Sequence, residues 1–171
     1  MRISIHSRKV DKCIKDAMYG MSGYALGKLL PKMVDKNQLD DLEIDIHMRK
    51  HSDGGEAKIK EGSDPINPRK FQIIIDHHMM NKDDYGRRRS DDEWVHRILE
   101  TLAHEMVHIK QYIKGELTWE TGTLYWKGKT FNPKDYIEYY DLPYEIEAHG
   151  RERGLLIGFL SIWDELKEKI K

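Results

Sequence analysis

Cysteine is nearly absent: 171 residues contain one, Cys13. A single thiol excludes an internal disulfide framework and points to a reducing compartment. No sign of charge dominates either, with 29 Lys+Arg against 30 Asp+Glu and a formal net charge of -1. That balance removes the electrostatic case for a nucleic-acid binder or a polybasic membrane protein. Long apolar runs are missing too. Nothing approaches the ~20 residues a membrane span needs, and the opening residues 1–6 lack the apolar core of a secretory signal. A soluble, cytoplasmic protein is expected, folded as one domain over 1–171. Repeats and low-complexity tracts are also lacking. What the chain has in excess is histidine, nine residues, so the question becomes where they sit.

A strand candidate at residues 3–5 precedes a helical pattern over 9–36, in which Val10, Ile14, Ala17, Met18 and Met21 recur at helical spacing. Gly20, Gly23 and Gly27 weaken its second half, and Pro31 breaks or kinks it. Cys13 falls on the apolar side and reads as a small buried hydrophobe. Leu42, Ile44, Ile46 and Met48 alternate with Glu43, Asp45 and His47, the pattern of a half-buried strand. Asp53, Gly54 and Gly55 signal a hairpin turn into a weaker strand at 57–60. Residues 71–75 form a short apolar run of strand length. His77 and His78 follow it, but neighbouring strand residues face opposite ways, so the pair reads as a strand end. Arg87, Arg88 and Arg89 have no interleaved aromatics and read as a solvated run, not a nucleic-acid patch.

Ser90, with Glu93 three residues on, is a capping box ahead of an apolar-periodic segment. A helix is expected over 91–114, with Gly115 as its stop. At about 100° per residue, Val95, Ile98, Leu99, Leu102, Met106, Ile109 and Ile113 gather on one stripe. His104 and His108 fall on the other side, about 40° apart, with Glu105 on one flank. This is H-E-x-x-H on a helix. The i, i+4 spacing turns two imidazoles toward one ion, and zinc binds such nitrogens at about 2.0–2.1 Å. The intervening glutamate can then take a proton from a water that the metal activates. The plain alternative is an exposed face carrying two histidines by chance.

A catalytic zinc takes three protein ligands and keeps one position open. Downstream, Pro143 opens another helix whose apolar stripe is Leu156, Phe159, Leu160, Trp163 and Leu166. On that wheel Glu145 and His149 lie on the inward stripe, while Glu147 points nearly the opposite way. An inward carboxylate on an apolar face is costly unless paired or metal-bound. Glu145 is therefore the best third ligand and Glu147 the poorest. Glu152 also projects inward, where a salt bridge is its natural role.

Three ordered stretches carry a family resemblance: residues 101–108 with the H-E-x-x-H, residues 126–129 (Trp126, Lys127, Gly128, Lys129), and residues 141–148 with Glu145 and Ala148. Together they resemble phage- and prophage-encoded SprT-like zinc metallopeptidases, small proteins similar to minimal gluzincins. The motifs lie within residues 95–157; the N-terminal half matches only in its order of helix then strands. The resemblance implies zinc held by His104, His108 and Glu145, with Glu105 as catalytic base and Ala148 as the small residue beside the ligand. Where many gluzincins carry Asp, this chain has His149. His149-Gly150 also opens the SprT-type reading, in which a third histidine is the ligand. The implied fold is α+β and zincin-like: a small antiparallel-rich sheet packed with the H-E-x-x-H helix, an N-terminal helix and a C-terminal helix.

Between the two site helices, residues 123–126 and 130–131 suggest a hairpin around Lys127, Gly128 and Lys129. Trp119 and Trp126 read as covers of the core. Tyr139, Tyr140 and Tyr144 flank the ligand helix; any one could serve an oxyanion, and aromatic packing is the default for all. The function expected is hydrolysis of peptide bonds in a protein or peptide substrate, with no membrane partner. Residues 71–75 are the expected cleft edge. The rivals are the SprT-type protease acting on DNA-bound proteins, disfavoured by balanced charge and the lack of zinc-ribbon cysteines, and a non-catalytic protein with a structural zinc. A structural zinc has no need of Glu105 and calls for a fourth ligand such as His149. The oligomeric state is not legible.

Overall fold

The computed structural model describes residues 1–8, 10–36, 38–52, 54–78, 87–88, 90–131 and 136–170. Its elements run β1 (Arg2–His6), α1 (Lys12–Leu29), α2 (Pro31–Asp35), β2 (Glu43–Met48), β3 (Gly55–Ile59), β4 (Lys70–Ile75), α3 (Asp91–Ile113), β5 (Leu117–Glu120), β6 (Thr123–Trp126), β7 (Lys129–Thr130), α4 (Tyr136–Tyr140) and α5 (Pro143–Ile170). The class is mixed α+β. Among the described residues no helix is long and apolar enough to cross a membrane.

The main sheet has the order β1-β2-β4-β3. The alternation in β2 sends Ile44, Ile46 and Met48 to the core and Glu43, Asp45 and His47 to the other face. Register keeps the rows together, with Ile3 beside Ile44 and Ile44 beside Phe71. On the apolar face lie α1 and α3, and α5 lies across both helices. One core cluster joins Met18 and Met21 of α1, Ile44 and Ile73 of the sheet, Leu102 of α3 and Phe159 of α5. Replacing one of these large buried side chains by alanine should cost about 2–5 kcal/mol.

Several expectations change here. The main sheet is not antiparallel-rich, because β1–β2 and β2–β4 pair parallel and only β3–β4 is antiparallel. For β1–β2 the cause is the helical crossover through α1, which returns the chain in the same direction. For β2–β4 it is the intervening β3, which runs antiparallel to β4. The turn at Gly54 does not close a β2–β3 hairpin: β3 skips a place and pairs with β4, and Asp53 lies outside the described residues. The expected cleft edge at 71–75 is an interior strand, β4, and the edge is β3. Cys13 is exposed instead of buried, since it stands in the first turn of α1, ahead of the packed stretch from Ala17 onward.

After β4 the two histidines part: His77 is buried and His78 exposed. Between them and the strand stands Asp76, 1 % exposed. Its carboxylate accepts from the amides of His51 and His78, each at 2.7 Å. The second sheet, β5-β6-β7, is a pair of tight hairpins. Lys127 and Gly128 at φ 48° and 77° make the expected turn, matching the two positive φ values of a type I′ hairpin.

Candidate metal centre

α3 starts where its capping box places it. Glu93 N donates to Ser90 Oγ at 3.3 Å and Ser90 N to Glu93 Oε2 at 2.8 Å, filling two of the bonds a helix start leaves open. Gly115, at φ 63°, ends it in the left-handed region. Because the sheet lies on one side of α3 and α5 on the other, its second half is buried nearly all round. The two histidines are thus not an exposed face. They look toward α5, and Glu145 in the first turn of α5 meets them, 2 % exposed.

His104 Nε2 lies 3.1 Å from His108 Nε2 and 3.2 Å from Glu145 Oε2, and His108 Nε2 lies 3.5 Å from Glu145 Oε1. Atoms about 2.1 Å from one tetrahedral ion stand about 3.4 Å apart, so all three edges suit a shared metal. The hydrogen bonds behind the rings agree. Gln111 Nε2 donates to the Tyr144 carbonyl at 3.0 Å and to Glu147 Oε2 at 3.1 Å. Both partners only accept, which leaves Gln111 Oε1 to accept from His108 Nδ1–H at 2.9 Å. Glu152 Oε2 accepts from His104 Nδ1–H at 2.7 Å. With a proton on each Nδ1, the neutral rings turn lone pairs toward each other, and Glu145 Oε2 is buried with no hydrogen-bond donor among the described residues. Such a set calls for a cation.

Protonation of the rings answers the same need. Burial works against a charged His104, yet the carboxylates of Glu145 and Glu152 beside its two nitrogens outweigh it and push its pKa up to about 10. His108 is raised likewise, Glu145 and Glu105 overcoming burial. Burial would raise the Glu145 carboxyl, but His104, His108 and Tyr139 hold it well below the usual carboxylate range. A divalent ion satisfies the same three groups more fully than a proton does.

Glu105 sits on the flank, 4 % exposed. Burial lifts its carboxyl above the usual range, with His108 and His104 pulling it back. Against it lies the edge strand: a Cβ on Gly55 would run into Glu105 Oε1 and come within 2.8 Å of Thr101 Cγ2. Only a glycine lets the β3 backbone approach so closely. On the other side the Tyr139 hydroxyl donates to Glu145 Oε1 at 2.7 Å.

The structure thus brings His104, His108 and Glu145 together with Glu105 beside them. His149 is not part of the group. Its ring lies 4.5 Å from that of His104, but its side chain is 38 % exposed and its Nδ1 turns to Glu152 at 3.2 Å. Glu152 makes the expected salt bridge, to His104. Glu147 does not point away from α3 as its wheel position suggested; its Oε1 binds the buried Lys110 Nζ at 2.6 Å, because a long side chain on the flank reaches across the helix crossing. Of the three tyrosines, Tyr139 donates its hydroxyl to Glu145, and Tyr144 sets its ring edge-on to His108. Trp126 packs on Tyr144 with ring centroids 6.2 Å apart, whereas Trp119 is 53 % exposed and covers no core.

Three residues escaped the sequence reading. Gln111 stands three residues after His108, on the same helix face, and that spacing was the available signal. Lys110 is held by Glu116 and Glu147, each at 2.6 Å; a mid-helix lysine gives no sign that it will be buried. Gly55 carried only a turn signal. Compared with family models, curated proteins and solved structures, the chain finds no match. Gln111→Met, which keeps the volume and removes the acceptor, should weaken divalent-metal binding by about 10–100-fold. Chelator competition checks it, and an unchanged affinity would reduce Gln111 to packing.

Proposed function

We propose that this chain is a zinc-dependent metallopeptidase of the gluzincin kind, resembling the small SprT-like proteins of phages and prophages. The observation that carries the reading is the convergence of His104, His108 and Glu145 with Glu105 on the flank that faces a sheet edge. Two imidazoles and a carboxylate suit zinc and keep a coordination position for chemistry. When bound, zinc supplies a Lewis acid that polarises a carbonyl and acidifies water.

The chain's own residues do the remaining work. Glu105 takes a proton from the attacking water as the water oxygen bonds to the peptide carbonyl carbon. When the C–N bond breaks, Glu105 hands that proton to the leaving nitrogen. The lift that burial gives its carboxyl moves it toward the pH at which one group serves as base and then acid. Tyr139 holds a hydroxyl at the site and is assigned the charge developing on the carbonyl oxygen. Beside Glu105, β3 pairs on one side only among the described residues, so its other side suits an extended protein or peptide substrate added as a strand.

The two rivals have less support. A structural zinc needs four protein ligands, and three converge among the described residues. The SprT-type ligand set needs His149 beside both helix histidines, and His149 groups with His104 and Glu152 instead. A cytoplasmic setting agrees with a lone, exposed thiol. The test is metal analysis joined to a cleavage assay on an unfolded protein substrate. One tightly held zinc, with cleavage lost to a chelator and restored by zinc, is expected. A chain that neither carries nor takes up zinc at the α3–α5 centre would overturn the reading.

A further inference from the structure

A second set of metal-ligating side chains lies on the opposite face of the main sheet from α1 and α3. The parallel register of β1 and β2 sets His6 beside His47 and Ser4 beside Asp45. The polar side of the β2 alternation carries Asp45 and His47, so His6, Asp45 and His47 share one surface. The two rings stack with centroids 4.5 Å apart and an interplanar angle of 16°. One ligand atom from each of the three residues lies within 4.8 Å of the others.

Asp45 divides its oxygens. Oδ2 is held by Lys60 Nζ at 2.5 Å, and Lys60 also binds Glu43 Oε1 at 2.8 Å. This leaves Oδ1 turned toward His6 Nε2 at 3.7 Å, too long for a hydrogen bond. It is close to the roughly 3.4 Å between two ligand atoms on one tetrahedral ion. An ordinary cross-strand histidine pair accounts for the stacking, but not for a carboxylate oriented by a lysine to present its second oxygen. Strand-borne side chains are also held more firmly than loop-borne ones.

We propose that His6, Asp45 and His47 form a second divalent-metal site, separate from the α3–α5 centre, for a late transition metal such as zinc, cobalt or nickel. Two imidazoles and one carboxylate select these ions over magnesium and calcium, which favour oxygen ligands throughout. The ion ties β1, an edge of the sheet, to β2, and water fills its remaining positions because the face is open. Lys60 is a positioning residue: it fixes Asp45 and limits the negative charge that would attract harder cations.

The experiment is a calorimetric titration of metal-free protein with zinc and, separately, with cobalt. Wild type is expected to take two equivalents, the tighter at the α3–α5 centre. His6→Gln and His47→Gln, both at surface positions of a folded sheet, should each leave the tighter equivalent untouched. Each should weaken the second by at least about tenfold, the smaller cost of losing even a residue that only supports a ligand. His104→Ala should remove the tighter equivalent and spare the second. A single equivalent in wild type that disappears with His104→Ala overturns the proposal, as does a second equivalent indifferent to both glutamine variants. A second equivalent that remains when none is found at the α3–α5 centre would sink the proposed function and leave this site standing.

Discussion

Glu145→Ala should abolish tight zinc binding, while His149→Ala should keep the metal. The two residues stand one helical turn apart on α5, and both lie close to His104, so the pair of variants separates two ligand sets. Glu145 lies 3.2 and 3.5 Å from the helix imidazoles and is 2 % exposed. Its alanine variant removes one of three ligands and leaves His104, His108 and the Tyr139 hydroxyl without the anion that pairs them. The loss should exceed the ~10–100-fold expected for a residue that only hydrogen-bonds a ligand. His149 reaches the site through Glu152, the carboxylate that holds His104 Nδ1, and through the face of the His104 ring. Its loss should therefore fall within that smaller range. Zinc affinity by chelator competition decides the matter. If His149→Ala releases the metal and Glu145→Ala retains it, the ligands are three histidines and the gluzincin assignment is wrong.

The second large effect is expected at Glu105. Glu105→Gln should retain zinc and lose at least about 10²–10⁴-fold in hydrolysis, the usual contribution of a positioned general acid–base. The amide keeps the shape of the side chain in its close fit against Gly55, so the helix and its histidines stay in place. It can neither accept the proton from water nor return it to the leaving nitrogen. The substitution also removes a carboxylate whose charge burial opposes, so folding stability should hold or rise. Turnover of a generic peptide at the wild-type rate, with zinc bound, would show that Glu105 is not the base.

How much of this was legible in the sequence depends on the range of the interactions involved. The span of α3 followed from Ser90, Glu93 and Gly115, all of which act within a turn of their own position. The pairing of His104 with His108 followed from helix geometry, and the inward aim of Glu145 from the apolar stripe of its own helix. The alternation in β2 was equally local. Each of these signals is carried by neighbours in the chain, so a single sequence contains them.

The tertiary structure decided what lies across from each face. Strand order placed β3 and not β4 at the edge, because β4 takes the place beside β2 and leaves β3 to pair on its outer side. That choice brought Gly55 against Glu105. The crossing of α3 and α5 buried Lys110, gave it Glu147 as partner, and let Gln111 choose which nitrogen of His108 carries the proton. Residue 6 is separated in sequence from residues 45 and 47 by two helices and their loops, and only the strand register sets them together. The sequence by itself determined the helix, its two histidines and Glu105 beside them; the packing of distant segments, which no local pattern encodes, decided what Glu145 meets and which groups hold these side chains in order.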